Sequence, residues 1–346
     1  AGESLCTTYV GLRLAGRSVG VSKLHGSVSR ELWQAAWPQY PATRVPIGSV
    51  TNGVHHPTWV AGGVADLLEE YVSPTWWELG RDDEGWDGID RIPAEVLWAR
   101  HQKLRHRLYD VVAASGVGRL RDPDALTIGF SRRFASYKRA DLVLSDLPRL
   151  RRMLGDPDRP IQLIFAGKAH PADQTGKDIL RKVVDTAREE CGIAFLVDYD
   201  LEVARHLVAG ADLWLNNPQR LLEASGTSGM KAAANGALNL SVLDGWWDEA
   251  YRPEIGWAIP SLATERHPQA DDGAEAGALL TILEETVVPL FYDRDPMGVP
   301  QRWVRMMRAS MREAAAHFSA RRMVADYFWE CYVPAAGQLH DLLKVR

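Results

Sequence analysis

The hydrophobic positions of this chain change pattern along its length, and the second part is the more regular. Past residue 122, short apolar runs rich in β-branched residues alternate with stretches of helical periodicity. Near-continuous apolar strands separated by helices are typical of a parallel sheet that is covered on both faces. The pattern therefore predicts an α/β fold with a Rossmann-like, doubly wound parallel sheet. The predicted strands are 126–130, 161–166, 193–197, 213–215 and 238–243.

Helical patterns connect these strands and also flank them. An amphipathic helix is predicted over 93–114, because Pro93 suits a first helical turn and Leu97, Leu104 and Leu108 recur at helical spacing. Three more helical patterns begin at about residue 275, and we expect the aromatic segment 323–336 to pack across the domain. The connecting helices are predicted near 140–155, 173–190, 201–209 and 229–236.

The length of 346 residues suggests about two domains, at roughly 100 to 200 residues each. The chain changes character near Asp122. Loop-rich segments with many of the 13 tryptophans precede this point, and the regular strand and helix pattern follows it. We therefore predict two units, residues 1–120 and 121–346.

Charge and cysteine content exclude several classes of protein. With 40 Lys and Arg against 45 Asp and Glu, the net charge of −5 gives no basic footprint for nucleic acid. No apolar stretch is long enough to span a bilayer, and the opening residues lack the layout of a secretory signal, so we expect a cytoplasmic protein without a membrane partner. Three widely spaced cysteines without a CxxC pair, and adjacent histidines at 55–56, indicate no metal site.

A Ser/Gly-rich segment from Glu223 to Lys231 runs into a predicted helix after a predicted strand. Such a segment lets successive backbone N–H groups converge on an anion at the start of the helix. Lys231 lies just inside that helix, where it could bond covalently to a cofactor whose phosphate the segment holds, and this suggests pyridoxal phosphate. Taken alone, the segment is explained better by an ordinary helix start with a solvated lysine.

A basic loop, SRRFASYKR, follows the strand at 126–130 and places four cations within nine residues. Such crowding is unfavourable unless an anion binds among the cations, and the carboxyl end of a strand is where these sheets bind ligands. We therefore favour an anion site here over a solvated loop. Two further loops put histidine beside glycine, VSKLHG around His25 and TNGVHHPTW at 51–59. Before any resemblance is considered, a structural role and a functional role for His25 are equally open.

Taken together, EASGTSGMKAAANGALNLSVLDG, SRRFASYKR, FAGKAHPAD, VSKLHG and TNGVHHPTW resemble the α-1,4-glucan phosphorylases, the family of the glycogen and maltodextrin phosphorylases. The resemblance covers about residues 10 to 335, and the variant with SGM is similar to the shorter bacterial type. It implies a retaining transferase that uses inorganic phosphate to release glucose 1-phosphate from an α-1,4-glucan. The implied fold is the C-terminal half of a glycosyltransferase with two Rossmann domains (GT-B).

The resemblance also implies roles for individual residues around the cofactor. Lys231 matches the lysine that holds pyridoxal phosphate, and Arg133 and Lys138 match the phosphate-binding pair that completes the catalytic set. In this family the cofactor phosphate exchanges a proton with substrate phosphate. Cations beside the two phosphates offset a repulsion of several kcal/mol. The positions matched to cofactor contacts, besides Lys231, are Gly226, Thr227, Arg132 and Tyr199.

The sugar-binding positions implied by the resemblance lie in three segments. His25 matches the histidine beside the glucosyl unit, and Tyr137 matches a tyrosine that meets the sugar. The positions that would bind glucose hydroxyls are Glu223, Ser225 and Gly226. The implied partners are an α-1,4-glucan, inorganic phosphate and glucose 1-phosphate.

Three positions depart from the family pattern. Arg132 stands where many members carry lysine, Asp200 follows Tyr199 where the better-known enzymes have arginine, and Val19 stands where asparagine is common. An arginine keeps the charge of lysine but has a different shape. At Asp200, a cofactor contact is expected to be lost or replaced.

Family chains carry a long additional segment before the His25 region. We therefore expect residues 1–120 to be the remainder of an N-terminal glucan-binding Rossmann domain with its linker, and 121–346 to be the cofactor and phosphate domain with C-terminal helices. An apolar surface would then be exposed unless a second copy, or the missing N-terminal part, covers it. The chain by itself is expected to have little or no phosphorolysis activity, because half of the cleft is absent.

Two other functions remain open. The first is a non-catalytic glucan-binding module of the same fold, with the Trp-rich first segment as its contact surface. The second is a sugar-nucleotide glycosyltransferase, which would have no need of a covalently reactive lysine at position 231.

Overall fold

The computed structural model describes residues 6–261 and 271–337. It is an α/β structure in which a seven-stranded sheet is surrounded by helices, with a separate two-stranded sheet near the start of the chain. The strands are β1 Ser18–Gly20, β2 Ile47–Ser49, β3 Gly116–Arg119, β4 Leu126–Ser131, β5 Ile161–Ala166, β6 Ile193–Leu196, β7 Leu213–Asn216, β8 Leu238–Val242 and β9 Gly256–Ile259.

Helices precede, connect and follow the strands of the large sheet. π-Helical turns at Leu283–Val287 and Phe328–Tyr332 extend two of them. The α-helices are α1 Thr7–Leu14, α2 Lys23–Leu32, α3 His56–Trp59, α4 Gly62–Tyr71, α5 Gly88–Arg91, α6 Ala94–Ser115, α7 Leu147–Leu154, α8 Gln174–Glu189, α9 Leu201–Gly210, α10 Thr227–Ala233, α11 Trp246–Ala250, α12 Asp272–Ile282, α13 Val288–Tyr292, α14 Gln301–His317 and α15 Ala320–Tyr327.

The large sheet has the strand order β3-β6-β5-β4-β7-β8-β9. From β6 to β9 all neighbours are parallel, and the order is that of the Rossmann sheet. Among the parallel strands, β4 is the first in the chain and lies in the middle of the sheet. Strands β5 and β6 follow outward on one side of β4, and β7 lies on its other side. The carboxyl ends of β4 and β7 lie next to each other, at the point where the strand order reverses and where such sheets bind ligands.

The sequence correctly predicted the five central parallel strands, because each is a fully buried apolar run. The prediction of an all-parallel sheet was incomplete, since β3 pairs antiparallel with β6 at one edge. Two glycines in four residues give β3 no hydrophobic pattern to detect. Strand β9 at the other edge, and the parallel pair β1 and β2, were also not predicted.

The hydrophobic core joins residues from both sides of residue 120. Leu67 and Trp98 belong to the same buried cluster as Phe130 in β4, and α6 contributes Leu108 to a second cluster that includes Trp214 of β7. Strand β3, at 116–119, pairs with the large sheet. The division at residues 120 and 121 stays a prediction, and the tertiary contacts cross that point extensively.

A buried polar cluster anchors α6 to the amino ends of the central strands. Asp212, which precedes β7, accepts hydrogen bonds from Arg105 at 2.9 Å and from the Thr127 backbone at 2.8 Å, and it pairs with His101 at 2.9 Å. Removing one partner of a buried ion pair leaves an uncompensated charge, which costs several kcal/mol. This cluster therefore stabilises the end of the sheet formed by the amino ends of the central strands.

The aromatic segment 323–336 packs on the domain through only some of its side chains. The Met323 sulfur accepts a hydrogen bond from the Gly53 backbone at 3.3 Å, and Cys331 is buried. Phe328, Trp329 and Tyr332 are exposed, at 47%, 68% and 61%. The expectation that this segment packs across the domain is therefore only partly met.

No helix in 6–261 or 271–337 combines the length and the apolar character that crossing a bilayer requires.

Candidate active site

A cluster of buried charges lies where the carboxyl ends of β4 and β7 meet. Arg132 follows the last residue of β4 and donates to the Glu223 carboxylate at 2.5 Å and to the side-chain oxygen of Asn216, the last residue of β7. Lys138 pairs with the same oxygen of Glu223. All three charged side chains are more than 90% buried. The structure thus brings together three of the predicted site residues.

The charges of this cluster do not balance. Two cations share one carboxylate oxygen and Asp244 attracts Arg132 only weakly, so the positive charge is only partly compensated in a region with little water. Burial lowers the pKa of Lys138 from 10.5 to about 8, and repulsion by Arg132 adds to the shift, while Glu223 opposes it. Burial also lowers the pKa of Arg132. An additional anion would relieve this imbalance, so the cluster favours anion binding.

The turn that carries Glu223 is held from the adjacent strand end. Asp244 follows β8, and its carboxylate accepts hydrogen bonds from the backbone of Glu223 at 3.0 Å and of Gly245 at 2.9 Å. The Ser225 carbonyl accepts from the Trp246 backbone at 2.8 Å. Gly245 has φ +55°, and a side chain there would clash with that carbonyl. The Glu223–Ser225 turn therefore has a fixed path.

Three polar side-chain atoms around this edge are buried and have no hydrogen-bond partner among the described residues. They are Ser131 Oγ at the end of β4, Asn217 Oδ1 just after β7, and Ser225 Oγ in the turn. Buried polar atoms are nearly always satisfied, by protein, water or a ligand. These atoms fit a polar ligand such as a sugar or a phosphate ester at the same edge.

Lys231 lies in α10, which begins after Gly226 at φ +78°. Its side chain is half-buried, and its Nζ lies 3.6 Å from the centre of the Trp59 ring. Burial lowers the pKa of Lys231. Among the described residues no carboxylate pairs with it. A less basic amine, shielded from water by an aromatic face, is suited to react with an aldehyde.

There is open space beside the same indole. A cavity of about 540 Å³ between α6 and α9 is lined by Trp59, by the basic side chains of Arg107 and Arg205 and by the acidic side chains of Asp200 and Glu202. Its volume lies within the range of small-molecule sites. The lining is mixed in charge, so the cavity offers room next to Trp59 without selecting an anion.

Tyr199 packs on the same apolar cluster as Trp59, and that cluster includes Ala232 of α10. This places Tyr199 on the side of the fold that surrounds Lys231. The side chain of Asp200 accepts a hydrogen bond from the Val203 backbone at 2.9 Å and so caps α9. An aspartate suits this position because it satisfies an otherwise free N–H at the helix start.

The remaining predicted site residues do not belong to the charged cluster itself, although Tyr137 lies beside it. Arg133 is exposed at the surface of the basic loop, and Tyr137 is half-buried, with its ring 4.6 Å from the Lys138 nitrogen. Burial raises the pKa of Tyr137. Thr227 is half-buried in the first turn of α10.

His25 lies in the first turn of α2, which contacts α11. Its Nδ1 accepts a hydrogen bond from the Val21 backbone at 3.1 Å, so the proton of the neutral ring lies on Nε2. Burial lowers the pKa of His25, which favours this neutral form. In the described part of the chain no hydrogen bond joins His25 to the Glu223 cluster.

Sequence reasoning missed three side chains of this region: Asn216, Asp244 and Trp59 in its contact with Lys231. The first two could have been found, because each is a polar residue at or just after the end of a predicted strand. Trp59 could not, since its contact with Lys231 joins segments far apart in the chain.

Fold and site together define an α/β protein of the Rossmann type with a buried cluster of charged side chains at the reversal of strand order. Comparison with known proteins agrees with this. Residues 11–250 match the family model described as carbohydrate phosphorylase. The chain therefore belongs to the carbohydrate phosphorylase family, which confirms the resemblance drawn from the motifs.

Curated relatives match nearly the whole chain. It is 45% identical to the glycogen phosphorylase of Mycobacterium tuberculosis strain H37Rv over 95% of its own length, and this covers 40% of the relative. It is 39% identical to the maltodextrin phosphorylase of Thermococcus litoralis (96% of this chain, 41% of the relative) and 41% identical to the glycogen phosphorylase of Aquifex aeolicus (95% and 50%). The chain thus spans two-fifths to one-half of the length of these relatives.

Proposed function

We propose that this chain provides the cofactor and phosphate part of an α-glucan phosphorylase. The reaction is the phosphorolysis of terminal α-1,4-linked glucose from glycogen or maltodextrin, with retention of configuration, to give glucose 1-phosphate. The observation that carries the proposal is the buried cluster in which Arg132 and Lys138 share one oxygen of Glu223, since its positive charge is only partly compensated and favours an anion. The names of the relatives supply the substrates.

The residues around Lys231 fit pyridoxal phosphate. The amine is half-buried and of lowered pKa, and the Trp59 face lies against it. In the proposal Lys231 binds the aldehyde of the cofactor, and Gly226, Thr227, Arg132 and Tyr199 surround it. When bound, the cofactor supplies a phosphate whose second pKa, near 6, suits proton exchange at neutral pH.

Lys138 and Arg133 would hold the substrate phosphate. Lys138 is fixed in the interior by Glu223, whereas Arg133 is exposed and interacts with the side chain of Tyr137. Arg132 lies behind them and compensates part of the negative charge that two neighbouring phosphates bring. Substrate phosphate would give a proton to the glucosidic oxygen as that bond breaks and would then bond to the anomeric carbon, so no protein carboxylate need attack the sugar.

The sugar would lie against the turn Glu223–Ser225. Glu223 would accept hydrogen bonds from glucose hydroxyls, and Ser225 Oγ, which is buried and has no partner among the described residues, can both donate and accept. Gly226 leaves room for close approach. His25, with its proton on Nε2, would donate to a glucose hydroxyl, and Tyr137 would flank the ring.

At the level of architecture, we propose that the described sheet is the C-terminal half of a GT-B glycosyltransferase. Residues 1–120 would then belong to the glucan-binding side and 121–346 to the cofactor side. The protein would act in the cytoplasm, as a homodimer or together with a further N-terminal part. A Rossmann strand order with its anion site at the reversal point supports this arrangement.

The test is the release of glucose 1-phosphate by the full-length protein from maltoheptaose and inorganic phosphate. Lys138→Met should lower kcat/KM for phosphate by about 10²-fold, because it removes a buried charge next to the reacting anion. Lys182→Met is the matched control, since Lys182 makes an ion pair with Asp141 at the surface and should leave the rate unchanged. Release of free glucose without phosphate, or a need for a sugar nucleotide, would contradict the proposal.

A further inference from the structure

Asn235 makes hydrogen bonds that join the two segments on either side of the Lys231 amine. It follows α10 and is 1% exposed. Its Nδ2 donates to the carbonyl oxygens of Trp59 and Lys231, both at 2.9 Å, and its Oδ1 accepts from the Ala61 backbone at 2.8 Å. Both donors and the acceptor of the amide are therefore satisfied.

These bonds hold the backbone that follows Trp59 at two points. One bond is to the carbonyl of Trp59 and the other is to the N–H of Ala61, two residues later. The backbone of Trp59 is thereby tied to the end of the helix that carries Lys231. The indole ring, whose centre lies 3.6 Å from Lys231 Nζ, shields that amine from water.

We propose that Asn235 is a positioning residue that holds the Trp59 ring against the amine of Lys231. The inference deepens the proposed function, on which it rests, because it identifies what sets the environment of the residue that would bind the cofactor. Asn235 itself touches neither substrate nor cofactor in this account, and it acts through Trp59.

The physical consequence concerns the basicity of Lys231. Burial is the cause of its lowered pKa, and no charged group among the described residues contributes to the shift. The indole forms part of that burial. Without Asn235 the 59–61 segment loses its attachment to α10, the ring leaves the amine, and water reaches Lys231. Its pKa should then rise toward the value of a free lysine.

The experiment measures the rate of reductive methylation of Lys231 by formaldehyde and sodium cyanoborohydride as a function of pH, in the 346-residue chain, by peptide mass spectrometry. Asn235→Ala should raise the pH midpoint by about one unit, a usual spread for lysines in folded proteins. Trp59→Leu should raise it in the same direction. The double variant should match Trp59→Leu alone, since Asn235 acts through the ring. If the alanine variant does not fold, Asn235→Ser replaces it.

Gln162→Ala is the matched control. Gln162 is an equally buried amide that hydrogen-bonds Thr127 at 2.9 Å within the sheet, and its loss should lower the melting temperature without moving the midpoint. An unchanged midpoint in Asn235→Ala, additive shifts in the double variant, or an equal shift in Gln162→Ala would each overturn the proposal. The assay contains no pyridoxal phosphate, so its outcome is distinguishable from a failure of the proposed function.

Discussion

At the scale of single residues, Glu223 has two roles. Its carboxylate compensates Arg132 and Lys138 inside the protein, and in the proposed reaction it also binds a glucose hydroxyl. A carboxylate held by two cations is fixed in direction, which suits it to accept a hydrogen bond. The same cations remain available to a phosphate, because their positive charge is only partly compensated.

Asp244 gives a pH dependence that can be measured. Burial raises its pKa from 3.8 to about 6, a shift that corresponds to about 3 kcal/mol. Because the folded state binds this proton more tightly than the unfolded state, the contribution of Asp244 to stability is present below pH 4 and is lost as the pH rises to 6. Asp244→Asn has no such proton, so the stability difference between wild type and variant should shrink across this window.

Urea unfolding of both proteins between pH 3.5 and 6.5 measures this difference directly. Asp178→Asn is the control, since Asp178 is an exposed carboxylate paired with Arg181, and its effect should stay within about 0.5 kcal/mol. Stability curves of wild type and Asp244→Asn that run parallel with pH would show that Asp244 titrates as an ordinary carboxylate.

Site residues could be predicted from sequence where several of them lie close together in one segment of the chain. The basic loop and the Glu223–Lys231 segment both contain their own charged residues, and the strand ends bring the two segments together. Asn216 and Asp244 directly follow predicted strands as well, so their position could have identified them, although neither lies in a charged or glycine-rich motif. The contact of Trp59 with Lys231 depends on tertiary packing, which periodicity does not encode.

At the scale of elements, the β8–α11 turn is what fixes the Glu223–Ser225 turn. Gly245 has φ +55°, and its Cα lies against the Ser225 carbonyl, so an added Cβ would clash with backbone. Gly245→Ala should therefore cost clearly more than the strain of a positive φ, which is about 1 to 2 kcal/mol. We expect a total loss of at least about 3 kcal/mol in the free energy of unfolding.

Gly298→Ala is the matched control for this substitution. Gly298 has φ +78°, but nothing lies within 4 Å of its virtual Cβ, so only the backbone strain remains. Chemical denaturation of the two variants separates the two effects. Equal losses in the free energy of unfolding would mean that the turn can shift away from Ser225 at no cost. The Glu223–Ser225 turn would then not have a fixed path.

Elements were predicted well where burial is complete and poorly at the edges. The central strands β4 to β8 are fully buried and mostly apolar, and such runs are distinctive. The edge strand β3 is Gly-Val-Gly-Arg, and its pairing with β6 is imposed by the fold of its neighbours. Short edge strands of this kind satisfy the backbone of the sheet without leaving a hydrophobic signature.

At the scale of the whole molecule, the sheet brings the basic loop and the Glu223–Lys231 segment together at the carboxyl ends of its central strands. The charged cluster of Arg132, Lys138 and Glu223 is formed by the loops after β4 and β7. Lys231 lies in α10, the helix that follows the loop after β7. At the amino ends of the strands, Asp212 pairs with Arg105 and His101. The buried ion pairs that stabilise the sheet thus lie at the opposite end of the strands from the proposed site. This division is common in α/β proteins, because loops at the carboxyl ends vary while the rest of the sheet stays fixed.

The central claim is that Lys231 holds pyridoxal phosphate. The direct test is to incubate the chain with pyridoxal phosphate, reduce with borohydride, digest, and map the mass increase. The account predicts a single major adduct on the peptide that contains Lys231 and its loss in Lys231→Ala. Labelling spread over exposed lysines such as Lys23, which is 78% exposed, with Lys231 unmodified, would contradict it.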